Sequence, residues 1–244
     1  MRLSLVIPAH PRRNVTTDGV DSALRHLASR SQDAELIVVD PAASDADAER
    51  LQSLAREAPA LRVLRDGGGG SGAAMRAGIL AAGGDHVVTI DADLPYPLAE
   101  IDGILAALDG GADLAVANRF ARESRVLLSS QHIHAHYRQY LGHRAFNAIA
   151  RMLLGLRASD ALAGFKGWRR AAAQTVAARQ TLDGIAAHVE LLFVAQRAGL
   201  SIREVPVLHR PSAEQNGDES LGTLSRAVAD LWRIRRNQRL GRYR

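Results

Sequence analysis

Short, mostly apolar runs alternate with amphipathic stretches through the first half of the chain. Leu3–Ile7, Glu35–Val39, Leu61–Leu64, His86–Ile90 and Ala112–Ala117 are four to six residues long. Their near-continuous apolarity is that of strands buried on both faces of a parallel sheet. Between them, Asp18–Ala28, Asp45–Glu57, Ala73–Ala82 and Pro97–Leu108 carry helical patterns. Asp18 and Asp45 offer acidic helix starts, and Gly83-Gly84 and Gly110-Gly111 fall just past helix ends. The strand–helix alternation predicts an α/β fold, a doubly wound and mostly parallel sheet with right-handed crossovers. From Glu123 to His136 the pattern gives way to a polar loop, followed by helices near Tyr137–Leu154 and Ala187–Ala198 and a strand over Ile202–Val207. Residues 1–210 are expected to form one domain, 211–219 a polar linker and 220–244 a basic amphipathic helix or tail. In that last segment Leu221, Leu224, Val228, Leu231 and Trp232 share one face at 100° per residue.

Ligands of such sheets bind beyond the carboxyl ends of the strands. The residues standing there are Pro8-Ala9-His10, Asp40, Gly67–Gly72, Asp91-Ala92-Asp93 and Asn118-Arg119.

Composition narrows the class. The chain has 244 residues, 47% of them hydrophobic, enough for a sizeable core and too many for disorder. Zero cysteines exclude disulfides and Cys-based metal sites. No run of 18 apolar residues is present, and the apolar start Leu3–Ile7 is too short for a signal peptide. The expected location is cytoplasmic. Lys166 is the single lysine among 31 basic residues. The net charge of +5 is unevenly placed: Ser225–Arg244 carry +6, and the rest of the chain −1. Such a tail can hold an amphipathic helix on anionic lipid, form a plain solvated helix, or contact nucleic acid. The near-neutral body and 4% aromatic content argue against a nucleic-acid reader. Trp232 suits a boundary between water and membrane.

Two motifs carry candidate chemistry. Gly67–Gly72 satisfies G-x-G-x-x-G, with Asp91 following at the end of the next strand. The dinucleotide reading is weak, because five glycines in six positions satisfy many patterns and two βα units precede them. A loop that lets backbone approach a phosphate or ribose, or a merely flexible loop, fits as well. Asp91-Ala92-Asp93 places two carboxylates just past a buried strand, where they can converge on Mg²⁺ or Mn²⁺. The competing reading makes one of them a helix N-cap ahead of Pro95 and Pro97. His132, His134 and His136 alternate; in a strand they would share a face able to bind a metal, and in a loop they would be solvated.

The order Leu5-Val6-Ile7-Pro8-Ala9, Glu35–Asp40, Ala74-x-x-x-Gly78 and Gly84-Asp85-x-Val87-x-x-x-Asp91-Ala92-Asp93 resembles the family-2 glycosyltransferases of the GT-A fold. Asn118-Arg119-Phe120, Arg144–Asn147, Leu153–Leu156, Ser159-Asp160-x-x-x-Gly164-Phe165-Lys166, Val189–Leu192 and Glu204–Val207 narrow the likeness. They resemble the polyprenyl-phosphate hexosyltransferases, the dolichyl-phosphate mannose and glucose synthases. The resemblance implies a nucleotide-diphosphate sugar donor and a polyprenyl phosphate acceptor at the cytosolic membrane face. Pro8, Ala9 and Asp40 would line the base and ribose pocket, with Gly70, Gly72, Ala92 and Lys166 also on the donor. Asp91 and Asp93 would hold the metal and diphosphate. Arg119 and Arg144 would meet phosphates, and Asp160, Lys166 and Glu190 would shape the sugar and acceptor side. Asp93, Arg119, Arg144 and Glu190 are the candidate catalytic groups.

The chemistry is consistent with that. A lipid phosphate is already anionic, so this nucleophile needs positioning and charge stabilisation more than a base. A sugar-hydroxyl acceptor would need one, and Asp183 or Glu190 would supply it. The chain departs from the family pattern at Pro41, Pro95, Ser71, Gly68, Ala163 and His188. Position 188 is usually an aspartate. A soluble acceptor, or a catalytically inactive glycosyltransferase-like binding protein, are the alternative functions.

Overall fold

The computed structural model describes residues 1–9, 17–30, 32–40, 45–65, 69–128, 133–211 and 221–243, with backbone alone at 17, 40, 45–48, 133–136 and 221–224. The expected alternation is present. Strands β1 (Leu3–Pro8), β2 (Ala34–Asp40), β3 (Leu61–Arg65), β4 (His86–Thr89) and β5 (Leu114–Asn118) alternate with helices α1 (Thr17–Ala28), α2 (Asp45–Glu57), α3 (Ser71–Ala81) and α4 (Ile101–Asp109). Then follow β6 (Arg125–Val126), α5 (Ile133–Leu154), β7 (Lys166–Arg169), α6 (Arg170–Ala178), α7 (Ala187–Arg197), β8 (Ile202–Pro206), β9 (Leu208–His209) and α8 (Leu221–Arg239).

One sheet runs β3-β2-β1-β4-β7-β5-β8, and β6 pairs with β9 apart from it. β1 lies between two parallel partners, with Leu5 level with Leu36 and Val88. Leu3, Leu5 and Ile7 are fully buried, each contributing about 1.5–3 kcal/mol by leaving water. α3 crosses β1 and β2 closely because position 78 is glycine: a Cβ there would lie 2.3 Å from Val6 Cγ1.

β7 was not expected, and it is antiparallel to both neighbours. Lys166-Gly167-Trp168-Arg169 shows neither an apolar run nor alternation, yet it fills the gap between β4 and β5. Gly167 makes room for α4, since a Cβ there would lie 2.1 Å from Ile104 Cγ2. The reversal has a functional consequence. Lys166 opens β7 opposite Thr89, the last residue of β4, so the segment leading into β7 lies at the carboxyl edge where ligands bind.

Two expectations change. α5 begins at Ile133, so His134 and His136 lie in a helix and the strand face the histidine alternation offered is absent; His132 lies outside the described residues. α8 directs Ala227, Leu231 and Ile234 into the protein, whereas Trp232 is 58% exposed. Leu231 and Trp232 therefore do not act as one apolar face. The side chains of Leu221 and Leu224, and residues 212–219 of the expected linker, lie outside the described residues.

Candidate active site

β4 ends in a tight turn that carries the paired aspartates. Leu94 adopts φ 46°, a left-handed conformation uncommon for a branched side chain, and its N–H donates to the Asp91 carbonyl at 3.0 Å. Asp91 and Asp93 are half-buried and Ala92 is buried between them. The next helical turn starts at Leu98 with Pro97 in the cap position, so neither aspartate caps it. The Asp91 carboxylate lies directly on Gly164, where a Cβ would sit 2.2 and 2.4 Å from its two oxygens. Thr89 fixes that glycine, its hydroxyl donating to the Gly164 carbonyl at 2.9 Å.

The same loop brings in Asp160 and Lys166. Asp160 is fully buried and accepts from Arg119 Nε at 2.7 Å, Nη2 at 2.8 Å and the Arg119 N–H at 3.1 Å. Burial pushes its carboxyl up, but the facing Arg119 charge and hydrogen bonds outweigh this and hold it below the ordinary range. Glu204 braces the turn, accepting from the Ser159 N–H at 2.7 Å and the Ser159 hydroxyl at 2.9 Å. Lys166 is fully buried, and its ammonium donates to the Ala163 carbonyl. Burial brings it down to about 7, against the opposing pull of Asp160 and Asp91.

Beside this cluster lies an aromatic and cationic pocket lined by Arg119, Phe120, Tyr140, His143 and His209, among others. Arg144 stands exposed over the Phe120 and Tyr140 rings, 5.9 and 5.7 Å from their centroids, and donates to the Tyr140 hydroxyl at 3.0 Å. Arg119 approaches Phe120 from 5.8 Å. Phe120 is thus flanked by both predicted arginines.

The remaining predicted residues are spread along the sheet edge. Pro8 closes β1 and is buried, and the Ala9 N–H donates to the Val39 carbonyl at 3.0 Å. Asp40 closes β2, its side chain outside the described residues. Gly70, at φ 102°, precedes α3, and the Gly72 N–H donates to the Asp183 carbonyl at 2.8 Å. Asp183 itself pairs with Arg76 at 3.2 Å. Glu190 is fully buried. Its carboxylate accepts from the Thr181 N–H and hydroxyl, from the Leu182 N–H at 2.8 Å and from the Tyr243 hydroxyl at 2.6 Å. His143, His209 and Tyr243 left no signal in the sequence, because each joins its neighbours only through tertiary packing; Glu204 stood in the Glu204–Val207 motif without a role. The spacing around Gly164 did signal a motif, though not that the missing side chain makes room for Asp91.

The donor set fits a divalent cation completed by its substrate. Asp91 and Asp93 offer hard oxygen ligands, and among the described residues no group of three or more acids or histidines converges. Mg²⁺ sites commonly take one or two carboxylates and draw the rest from phosphate and water.

The central strand β4 thus leads into paired carboxylates, and the Arg119–Asp160 pair reaches the same edge of the sheet. The sequence model of "Glycosyl transferase family 2" matches residues 4–176, and the chain belongs to that family. It is 30% identical over 129 residues to a dolichol-phosphate mannosyltransferase of Pyrococcus furiosus, covering 52% of this chain and 35% of that one. It is 29% identical over 178 residues to the polyprenol monophosphomannose synthase of Mycolicibacterium smegmatis, covering 70% and 65%. The chain thus spans from about a third to just under two thirds of these relatives' lengths. Glucosyl-3-phosphoglycerate synthase from Mycobacterium tuberculosis, solved with Mn²⁺ and UDP-glucose, superposes with a TM-score of 0.63 at 22% identity, covering 95% of this chain and 76% of that one. The fold is therefore the GT-A glycosyltransferase fold, an α/β architecture with a mostly parallel sheet.

Proposed function

We propose that the protein transfers a hexose from a nucleotide-diphosphate sugar to a polyprenyl phosphate at the cytosolic face of a membrane. The observation that carries this reading is the turn Asp91-Ala92-Asp93 set against Lys166 and the Arg119–Asp160 pair. Asp91 and Asp93 would hold Mg²⁺ or Mn²⁺, which supplies positive charge for the departing diphosphate. The curated relatives named above support the donor and acceptor classes by their names, and the mycobacterial neighbour by its bound Mn²⁺ and UDP-glucose.

The state of Glu190 favours an acceptor that arrives deprotonated. Four donors occupy its two oxygens, so taking a substrate proton would mean breaking a buried network. Position 188 holds histidine in place of the usual acid. A phosphate nucleophile needs neither group, only orientation, and arginine's planar fork suits that task. Arg144, exposed over Phe120, would present its guanidinium to the acceptor phosphate, while Arg119 is braced by Asp160. Tyr137, Leu141 and Met152 stand exposed on α5, with Arg138, Arg144 and Arg151 exposed on the same helix. These, with the arginines of α8, support a peripheral position on anionic lipid; among the described residues no helix is long and apolar enough to cross a membrane. A soluble phosphorylated acceptor is the second reading, because the exposed guanidinium of Arg144 would meet its phosphate as readily as a lipid's.

Thermal shift with UDP-glucose and GDP-mannose, each with and without Mg²⁺ or Mn²⁺, tests the donor half. A metal-dependent rise in melting temperature with one of them is expected. If no nucleotide sugar stabilises the protein, it is a silent binding domain of the same fold.

A further inference from the structure

The carboxyl-terminal segment is tied by hydrogen bonds to the glycine loop at the start of α3. Tyr243 is buried, and its hydroxyl donates to Glu190 at 2.6 Å. Burial, with the bond to Glu190, raises the phenol above its ordinary value and keeps it a donor. From α8, Asn237 Nδ2 donates to the Thr181 hydroxyl at 2.8 Å. Glu190 in turn accepts from the N–H groups of Thr181 and Leu182 at 2.9 and 2.8 Å. The segment thus anchored grips the glycine loop from two sides. The Gly72 N–H donates to the Asp183 carbonyl at 2.8 Å, and Gln180 Nε2 donates to the Gly72 carbonyl at 2.7 Å. The fit is close: a Cβ on Gly70 or Gly72 would lie 2.7 or 2.9 Å from the Asp183 carbonyl oxygen.

We infer that Tyr243 and Asn237 are positioning residues for the nucleotide-sugar donor, acting through Glu190 and residues 180–183 to set the glycine loop at Gly70–Gly72. The inference rests on the proposed donor role of that loop. It gives the buried carboxylate of Glu190 a task that needs no proton transfer. It also makes the basic tail more than a membrane address, because whatever orders residues 237–243 orders the donor loop.

Tyr243→Phe keeps the ring against Phe193, 6.0 Å between centroids, and removes only the hydroxyl. Hydrogen exchange by mass spectrometry on the full chain reads the coupling without any activity. Peptides covering 180–187 and 69–75 should exchange about threefold to tenfold faster, as expected for one lost hydrogen bond, with β1 and β4 unchanged. Faster exchange confined to 237–243 would overturn the inference. If Tyr243→Phe loses protection throughout, Asn237→Ala replaces it and must show the same localised pattern. In steady-state transfer, the KM for the nucleotide sugar should rise by about the same factor, with kcat and the acceptor KM held within about twofold. A fall in kcat alone, or a change in acceptor KM alone, would overturn the donor-side assignment. Should no donor be used at all, the exchange result still decides the coupling, and only the functional reading falls.

Discussion

Asp91 owes its position to a side chain that is absent. Gly164 leaves the space that both of its oxygens occupy, and Thr89 holds that glycine in place. Gly164→Ala should displace the carboxylate and abolish the metal-dependent thermal shift with donor, while overpacking costs about 1–3 kcal/mol of stability. An unchanged donor shift in that variant would contradict the geometry. Lys166 makes a second residue-scale prediction. Its folded value is lowered to about 7, and unfolded lysine lies near 10.4. Between those values the unfolded chain binds the extra proton, so stability rises with pH from about 7 toward 10 and its penalty is complete below about 7. Urea midpoints at pH 7, 8 and 9, in metal-free buffer, should climb in the wild type and flatten in Lys166→Met. Parallel profiles would refute the assignment.

At the scale of elements, β7 decides the site. It reverses direction between β4 and β5 and so carries Asp160, Gly164 and Lys166 to the edge occupied by Asp91 and Asp93. Gly167→Ala would put a methyl 2.1 Å from Ile104. The expected cost is about 1–3 kcal/mol in chemical denaturation, with β4 and β5 losing exchange protection first. Four of the first five strands were legible as mostly apolar runs buried in the sheet, and β3 by its Leu61, Val63 and Leu64 despite the exposed Arg62; only their ends moved, as where β5 starts at Leu114 rather than Ala112. β7 was not, because a charged, a small, an aromatic and a charged residue make no period. Its strand state comes from two waiting neighbours. α6 did leave a signal, the alanine-rich stretch after Arg170, which favours helix. The paired aspartates and both arginines were legible as motifs. The Glu190 network was not, because Thr181 and Tyr243 meet it from segments whose proximity no local pattern encodes.

On the scale of the whole molecule, the charge is divided between a near-neutral body and a strongly basic end. α8 shows how the two join: its apolar residues Ala227, Leu231 and Ile234 face inward, and Arg226, Arg233, Arg236, Arg239 and Trp232 remain outside. A helix packed this way can meet anionic lipid through arginine and tryptophan without withdrawing from the core. Each arginine near such a surface contributes about 1 kcal/mol. One assay addresses both that surface and the Asp91–Asp93 turn. Radiolabelled nucleotide sugar is incubated with the protein, Mg²⁺ or Mn²⁺, and anionic liposomes holding a polyprenyl phosphate, and label is counted in the extracted lipid. Labelled lipid is expected with the wild type and none with EDTA or with Asp93→Ala. Label that persists undiminished in Asp93→Ala, or that enters only a soluble phosphorylated acceptor, would contradict the proposed metal-dependent transfer to lipid.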